Sequence, residues 1–309
     1  CLPTSAGYTV DSYIDLLKDA AVAMKTADLH CRVIGGISIM AQSTVGDEFI
    51  EKGGLDLVDI YNLHPYPEGD GPEAFIPWME RIQAAMDAHG GRKPIWATEL
   101  SYWATDDKPW RPWAPPNAGH WSANRQQANE REAADFNVRQ SVILLAHGVE
   151  KIFWHSGLEG EVNNGSWDLE NPLLDPEAVP QKFFAAQAAL ANLLGPSPAY
   201  VAPLAKPASV GGRDTENVYG YAFRGPERAV LIVWSPGVLN NGKRGAGGIV
   251  PLGESPVYLT SVAMTADALS KSMDLVWNPD TGPECEEFRG WGLIIPNGAD
   301  AWSVAGSPL

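Results

Sequence analysis

The sequence is poor in cysteine, in positive charge and in long apolar runs. Its 309 residues include 3 cysteines, which form no CxxC pair, so a disulfide framework or a zinc ribbon is not expected. Lysine and arginine number 22 against 38 aspartates and glutamates, a net charge of −16. Nucleic acid or an anionic membrane surface would be repelled by that charge. No run approaches the roughly 18 apolar residues of a membrane-spanning helix, and no leader peptide is recognisable.

Several catalytic and cofactor motifs are also missing. The sequence contains neither GxGxxG nor GxxxxGK[ST], the glycine-rich loops that bind dinucleotides and nucleotide phosphates. It contains no GxSxG, which argues against a serine-hydrolase elbow. It contains no HExxH or comparable spacing of histidines, which argues against a metal site. We therefore expect no cofactor and no metal.

What is present is an alternation of helical and extended patterns over the first two thirds of the chain. Apolar residues recur at helical spacing over residues 9–27, and a near-continuous apolar run follows at 32–38. Further strands are predicted at 57–64, 94–99 and 151–154, with helices between them and at 181–194. Strands that alternate with helices predict a parallel sheet.

Proline-rich residues 196–207 mark a change of pattern. Beyond them the sequence consists of short β runs separated by turn residues, which predicts an all-β sandwich. We therefore divide the chain into an α/β domain at residues 1–195 and a β-sandwich domain at 196–309.

Four strand–helix units are too few for a closed (β/α)8 TIM barrel, which takes eight strands. The long loops rich in polar and aromatic residues all follow the carboxyl ends of strands, where barrel enzymes place their active sites. The predicted fold is therefore the second half of a TIM barrel, strands five to eight, followed by the sandwich.

The strand ends resemble those of a known superfamily. Residues 93–99, Lys-Pro-Ile-Trp-Ala-Thr-Glu, resemble the seventh strand of the clan A (four–seven superfamily) glycoside hydrolases, in which a Thr-Glu at the strand end carries the nucleophile. Residues 32–36, 59–66 and 151–154 resemble the fifth, sixth and eighth strands, in the right order. The nearest architecture is that of the β-xylosidases and α-iduronidases.

The resemblance implies a retaining glycosidase in which Glu99 is the catalytic nucleophile. Such enzymes need a second carboxyl group, about 5 Å away, as acid/base. In this superfamily it is the Glu of an Asn-Glu pair ending strand four, and we expect it N-terminal to residue 1. Asn129-Glu130 lies in a predicted helix, and the loop residues Glu159 and Glu161 are the in-chain candidates for a substitute acid.

Aromatic and histidine side chains near the strand ends are candidates for substrate binding. A flat aromatic ring packs well against the C–H face of a sugar, and exposed aromatic residues on a loop are costly without a partner. The candidates are His64, Tyr66, Trp154, His155, Tyr102 and Trp103. Packing of these side chains inside the fold is the alternative for each of them. Strand alternation predicts Ala97 and Glu99 on one face and Thr98 on the other.

Two functions are therefore compared. The first is a retaining hydrolase that cleaves β-glycosidic bonds of a poly- or oligosaccharide. The second is a non-catalytic carbohydrate-binding or degenerate glycosidase-like protein, in which Glu99 is merely solvated. Carbohydrate is the expected partner in both. Unpaired edges of a half barrel also predict self-association, or pairing with an N-terminal half-barrel.

Overall fold

The computed structural model describes residues 7–39, 43–66, 71–104, 106, 127–155, 173–174, 179–236, 249–278, 290–296 and 299–303. The chain divides into two compact units. The first comprises Cys1–Gln127 and Ile143–Ala178, and the second comprises Ala128–Val142 and Val179–Leu309. Within the described residues, none of the helices combines the length and hydropathy that crossing a membrane requires.

The alternation of helix and strand predicted up to residue 154 is confirmed. The elements are α1 (Val10–Ala27), β1 (Ile34–Ile39), α2 (Val45–Glu51), β2 (Ile60–His64), α3 (Phe75–Ala88), β3 (Ile95–Leu100), α4 (Glu130–Ala146) and β4 (Val149–Trp154). Two short 3-10 helices, Gly54–Leu57 and Pro72–Ala74, precede β2 and α3. Local chemistry explains where α1 begins, because the Thr9 hydroxyl accepts a hydrogen bond from the Ser12 amide at 3.2 Å.

The four strands of the first unit form one parallel sheet in the order β1-β2-β3-β4. An open doubly wound sheet reverses its strand order at one point, whereas this order runs without reversal. The described strands form an open sheet and not a closed barrel, so the half-barrel stays a proposal. Self-association through a sheet edge stays a prediction, which sedimentation velocity would test.

The two faces of this sheet differ. One face, which we call the covered face, carries buried side chains that share a register: Tyr61, Leu63, Ile95 and Ala97. The other, the open face, carries Trp96, Lys151 and Phe153. There the Lys151 ammonium lies 4.5 Å from the Trp96 ring, which in turn lies 5.7 Å from the Phe153 ring. Phe153 keeps 44% of its surface exposed.

The second unit contains the β-rich part of the chain. After α5 (Lys182–Leu194) it comprises β5 (Ala199–Pro203), β6 (Ser209–Val210), β7 (Arg213–Asp214), β8 (Tyr219–Arg224), β9 (Ala229–Trp234), β10 (Ile249–Pro251), β11 (Val257–Ser261), α6 (Ala266–Lys271), β12 (Asp274–Asn278), β13 (Gly290–Ile294) and β14 (Asp300–Ser303). The strands pair in antiparallel sheets of five (β14-β11-β9-β8-β5), three (β10-β13-β12) and two (β6-β7).

One buried apolar cluster draws on both larger sheets and on α6, with Val233, Leu259, Leu269 and Leu293 among its members. The predicted all-β content of this part is therefore interrupted by a short helix. The second unit includes α5 and the first part of α4, and the division into domains at residues 195 and 196 stays a prediction.

Candidate active site

Glu99 lies near the carboxyl end of β3 with three polar neighbours. The Tyr66 hydroxyl donates a hydrogen bond to Oε1 of Glu99. Nδ1 of His64 lies 3.6 Å from Oε2, and Nε2 of His155 lies 4.0 Å from Oε1. The Glu99 side chain is 35% exposed. The structure thus brings together four of the predicted site residues, with Tyr66, His64 and His155 around the accessible carboxyl group of Glu99.

These side chains converge because their strands end at the same edge of the parallel sheet. His64 is the last residue of β2, and the amide of Tyr66 donates back to the His64 carbonyl at 2.8 Å. His155 follows β4, and its amide donates to the Leu100 carbonyl at 3.0 Å. The Tyr66 ring stands edge-on to both imidazoles, with centroids 6.4 Å and 6.2 Å away.

A bulge in β3 changes the direction of the side chains at the strand end. Ala97 pairs with Ile152 and Leu100 pairs with Trp154, so β3 holds one more residue than β4 between these pairs. As a result Thr98 and Glu99 both reach His64. The prediction that Thr98 faces away from Glu99 is wrong, because simple alternation does not survive an extra residue.

Two residues that the sequence analysis did not select complete the cluster. Oγ1 of Thr98 lies 3.0 Å from Nε2 of His64. The same hydroxyl donates a hydrogen bond to Oδ1 of Asn62, which is buried on β2. The spacing of Asn62 and His64 is a usable signal, since residues two apart in a strand share a face.

Burial sets the charge state of His64. Desolvation lowers the pKa of His64 below its ordinary value of 6.5, and the Glu99 carboxylate opposes this shift. The imidazole is therefore neutral at pH 7 and above. Among the described residues, Glu99 then accepts a hydrogen bond from Tyr66 on Oε1 and none from His64 on Oε2.

The remaining predicted binding residues divide into two groups. Trp154 is half-buried at the end of β4. Tyr102 and Trp103 have 0% and 3% of their surface exposed. That burial does not fit the expectation that they form sugar subsites, because a packed ring has no free face to offer. Glu159 and Glu161 lie outside the described residues.

The described polar contacts of Glu99 come from a tyrosine and two histidines, and none comes from a second carboxyl group. Among the described residues there is also no group of three or more histidine, cysteine, aspartate and glutamate side chains that could hold a metal ion.

No family model matches the sequence, and no curated protein is similar to it. Among solved structures, the chain is similar to a GH30 endoxylanase from Clostridium papyrosolvens C71, with a TM-score of 0.46 and 16% identity. It is also similar to a GH51 arabinofuranosidase from Xanthomonas axonopodis pv. citri (0.49 and 12%) and a GH39 β-xylosidase from Caulobacter crescentus (0.42 and 17%).

These alignments cover 96%, 96% and 72% of this chain but 58%, 62% and 43% of the three solved chains, in the same order. The chain thus spans less than two thirds of each. The neighbours are clan A glycoside hydrolases, but TM-scores below 0.5 at such identities do not define a family for this chain.

Proposed function

We propose that this chain carries the nucleophile half of a retaining glycoside hydrolase that cleaves β-glycosidic bonds of a poly- or oligosaccharide. One observation carries the proposal. Glu99 is an accessible carboxyl group at the carboxyl end of a parallel strand, and Tyr66 donates to one of its oxygens while two histidines flank it. The hydrogen bond from Tyr66 occupies Oε1 and fixes the orientation of the carboxyl group, which leaves Oε2 for the attack.

In the proposed reaction, Oε2 of Glu99 attacks the anomeric carbon as the glycosidic C–O bond breaks. The leaving oxygen takes a proton from a second carboxyl group. Water then attacks the same carbon and gives a proton to that group, and the Glu99–sugar bond breaks. The described contacts of Glu99 are with a tyrosine and two histidines, and we assign none of these residues as the acid/base.

His64, His155 and Trp154 are the residues we assign to the sugar-binding side of the site. The two histidines flank Glu99, and Trp154 ends β4 beside His155. Tyr66 is buried, and we assign it to holding Glu99 through its hydroxyl. A tryptophan ring suits the apolar face of a pyranose, and Trp154 is only half-buried. We leave Tyr102 and Trp103 out of the subsites because they are buried.

A test of this function must not depend on the acid/base. We would treat the chain with a panel of 2,4-dinitrophenyl 2-deoxy-2-fluoro-β-glycosides, whose leaving group departs without protonation and whose fluorine slows the second step. Intact mass spectrometry should detect a covalent fluoroglycosyl adduct with at least one sugar of the panel, and peptide mapping should place it on Glu99.

The Glu99→Gln variant should form no adduct. The matched control is Glu150→Gln, an exposed glutamate of β4 whose carboxylate accepts a hydrogen bond from Trp96 at 3.4 Å, and it should react like the wild type. Labelling of the Glu99→Gln variant at the wild-type rate would remove Glu99 from the role.

The alternative is a non-catalytic carbohydrate-binding protein. The tyrosine and the two histidines beside Glu99 are compatible with it, because such polar side chains also fix the orientation of a bound ligand without any reaction. Under this alternative no probe of the panel labels the chain, yet calorimetry detects binding of an oligosaccharide, and Glu99→Gln leaves that binding within a few-fold of the wild type.

A further inference from the structure

We propose that Asn62 and Thr98 are positioning residues that fix the tautomer of His64, with the proton on Nε2 and the lone pair of Nδ1 directed at Glu99. For its catalytic consequence the inference rests on the proposed function of Glu99. The tautomer itself can be measured whether or not the chain is an enzyme.

The argument begins with the single proton of the Thr98 hydroxyl. That proton is donated to Oδ1 of Asn62, a carbonyl oxygen that can only accept. The same Oγ1 lies 3.0 Å from Nε2 of His64, a hydrogen-bonding distance. Since its proton is already committed to Asn62, Thr98 can only accept from His64. Nε2 must therefore carry a hydrogen.

The second step concerns the other ring nitrogen. A neutral imidazole carries one N–H, and its other nitrogen has a lone pair. The side chain of His64 is 17% exposed, and its burial favours the neutral ring. With the hydrogen on Nε2, Nδ1 has only a lone pair to present to Oε2 of Glu99. The separation of 3.6 Å is too long for an N–H···O hydrogen bond and suits two facing acceptors.

The fixed tautomer distinguishes the two oxygens of Glu99. Oε1 accepts from Tyr66, whereas Oε2 receives no hydrogen from His64. The lone pairs of Oε2 therefore stay available for attack on a sugar. In the opposite tautomer an Nδ1–H would point at Oε2, and a hydrogen bond to a carboxylate makes it a weaker nucleophile by stabilising its charge. We expect that change to slow the attack by about tenfold to a hundredfold.

The positions of Asn62, His64 and Thr98 in the sheet support the positioning role. Asn62 and His64 are two residues apart on β2, so they share a face. In the register of β2 and β3, Asn62 pairs with Trp96 and Leu63 pairs with Ala97, so Thr98 lies on the same face as Asn62 and His64 and reaches both. All three side chains belong to the first unit.

The tautomer is measured by long-range nitrogen–proton NMR of the full chain labelled with ring-¹⁵N histidine, at pH 7.5. The His64 signals are assigned by their loss in His64→Gln. We expect a pyrrole-type shift at Nε2 and a pyridine-type shift at Nδ1. Thr98→Ser should keep this pattern because it keeps the hydroxyl. Thr98→Val should populate the Nδ1–H form, and Thr44→Val, whose hydroxyl makes no capping hydrogen bond at the start of α2, should change nothing.

A wild-type ring with its proton on Nδ1, or with both nitrogens protonated, would overturn the inference without touching the proposed function. Labelling by the fluoroglycoside separates the two. If the expected tautomer is found in a chain that no probe labels, the positioning role of Asn62 and Thr98 is supported and the proposed glycosidase function is rejected. In a chain that is labelled, Thr98→Val should slow labelling about tenfold to a hundredfold and Thr98→Ser should restore it; an unchanged rate in a Thr98→Val variant that has lost the tautomer would remove the catalytic consequence.

Discussion

The parallel sheet of the first unit and the five-stranded antiparallel sheet of the second each differ from the burial of faces that is usual for their type of sheet. Parallel sheets are usually covered on both faces, whereas antiparallel sheets often leave one face to solvent. Here the parallel sheet has an open face, on which Phe153 is 44% exposed. In β9 of the antiparallel sheet, the neighbours Ile232, Val233 and Trp234 are all fully buried although alternate residues point to opposite faces.

The same contrast holds for the acids near each sheet. Glu99 is partly exposed and has a tyrosine and two histidines for neighbours. The side chain of Asp135, on α4, is 5% exposed, and its Oδ2 accepts from the Ser255 hydroxyl at 2.6 Å. Its Oδ1 is buried with no hydrogen-bond partner among the described residues. The second unit thus buries Asp135 although Oδ1 of this residue has no described hydrogen-bond partner, whereas the first unit leaves Glu99 accessible to a ligand.

The largest expected effect tests this contrast with a matched pair of phenylalanines. Phe223→Ala removes a fully buried ring from β8, so it should lower the free energy of unfolding by about 3 to 5 kcal/mol. Phe153→Ala removes a ring from the open face and should cost about 1 kcal/mol. Urea denaturation measures both. Equal losses would mean that the open face is as well packed as the second unit.

Substitutions on the covered face of the parallel sheet should lower the free energy of unfolding as much as substitutions in the core of the second unit. A Cβ at Gly36 would lie 2.6 Å from the Tyr61 ring and 3.0 Å from Phe49, at a φ of +98°. Gly36→Ala therefore combines overlap with backbone strain, and we expect a loss of about 3 kcal/mol. Gly53→Ala is the control, because its φ is +82° but no atom lies within 4 Å. It should cost about 1 kcal/mol, and a similar loss in both variants would argue against the close packing.

The buried acid of the second unit should make stability depend on pH. Burial raises the pKa of Asp135 to about 6, and the hydrogen bond from Ser255 opposes this. Because the folded pKa exceeds the unfolded value of about 3.9, the folded state binds the proton more tightly. Stability should then fall as the pH rises from about 4 to about 6, and the deficit stays complete above pH 7.

Asp135→Asn removes that deficit and should stabilise the protein by about 2 to 3 kcal/mol at pH 8, but not at pH 4. Urea denaturation at the two pH values measures the difference. Asp274→Asn, an exposed aspartate of β12, should change neither value. A variant no more stable than the wild type at pH 8 would mean that Asp135 is ionised there at no cost.

The sequence predicts the features of the fold that depend on patterns along the chain. It does not predict those that depend on how a strand pairs with its neighbour. The strand and helix alternation, the parallel pairing and the approach of His64 and Tyr66 to Glu99 could be predicted, because strand ends of a parallel sheet meet at one edge. The bulge at Thr98 and Glu99 could not, since an extra residue is defined only against the neighbouring strand. Without the bulge, simple alternation would place Glu99 on the opposite face of the sheet from Thr98 and His64.

The burial of two aromatic residues after β3 could not be predicted either, because it depends on how the fold packs around them. Tyr102 and Trp103 follow the strand end, where accessible residues are common, yet the fold packs both. The helix α6 was missed although it carries a local signal: the Thr265 hydroxyl accepts from the Ala268 amide at 3.1 Å, as an N-cap does. Six residues among strands made too short a pattern to outweigh the β runs around them.

The smallest expected effect concerns the accessible acid itself. Tyr66→Phe deletes the hydroxyl that donates to Oε1 of Glu99 and leaves the ring, which is buried, in place. This hydrogen bond is made to Oε1, so it fixes the orientation of the carboxyl group without occupying the lone pairs of the attacking Oε2. A hydrogen bond to an ionised group is worth about 1.5 to 3 kcal/mol, so loss of that orientation should slow covalent labelling of Glu99 about tenfold to a hundredfold. Tyr13→Phe is a suitable control, because the Tyr13 hydroxyl accepts a hydrogen bond from the Gly36 amide at 3.1 Å and is not among the described contacts of Glu99. This variant should be labelled at the wild-type rate. If Tyr66→Phe labels as fast as the wild type, the hydrogen bond serves packing alone, and the contrast between an acid kept for chemistry and an acid merely buried loses its support.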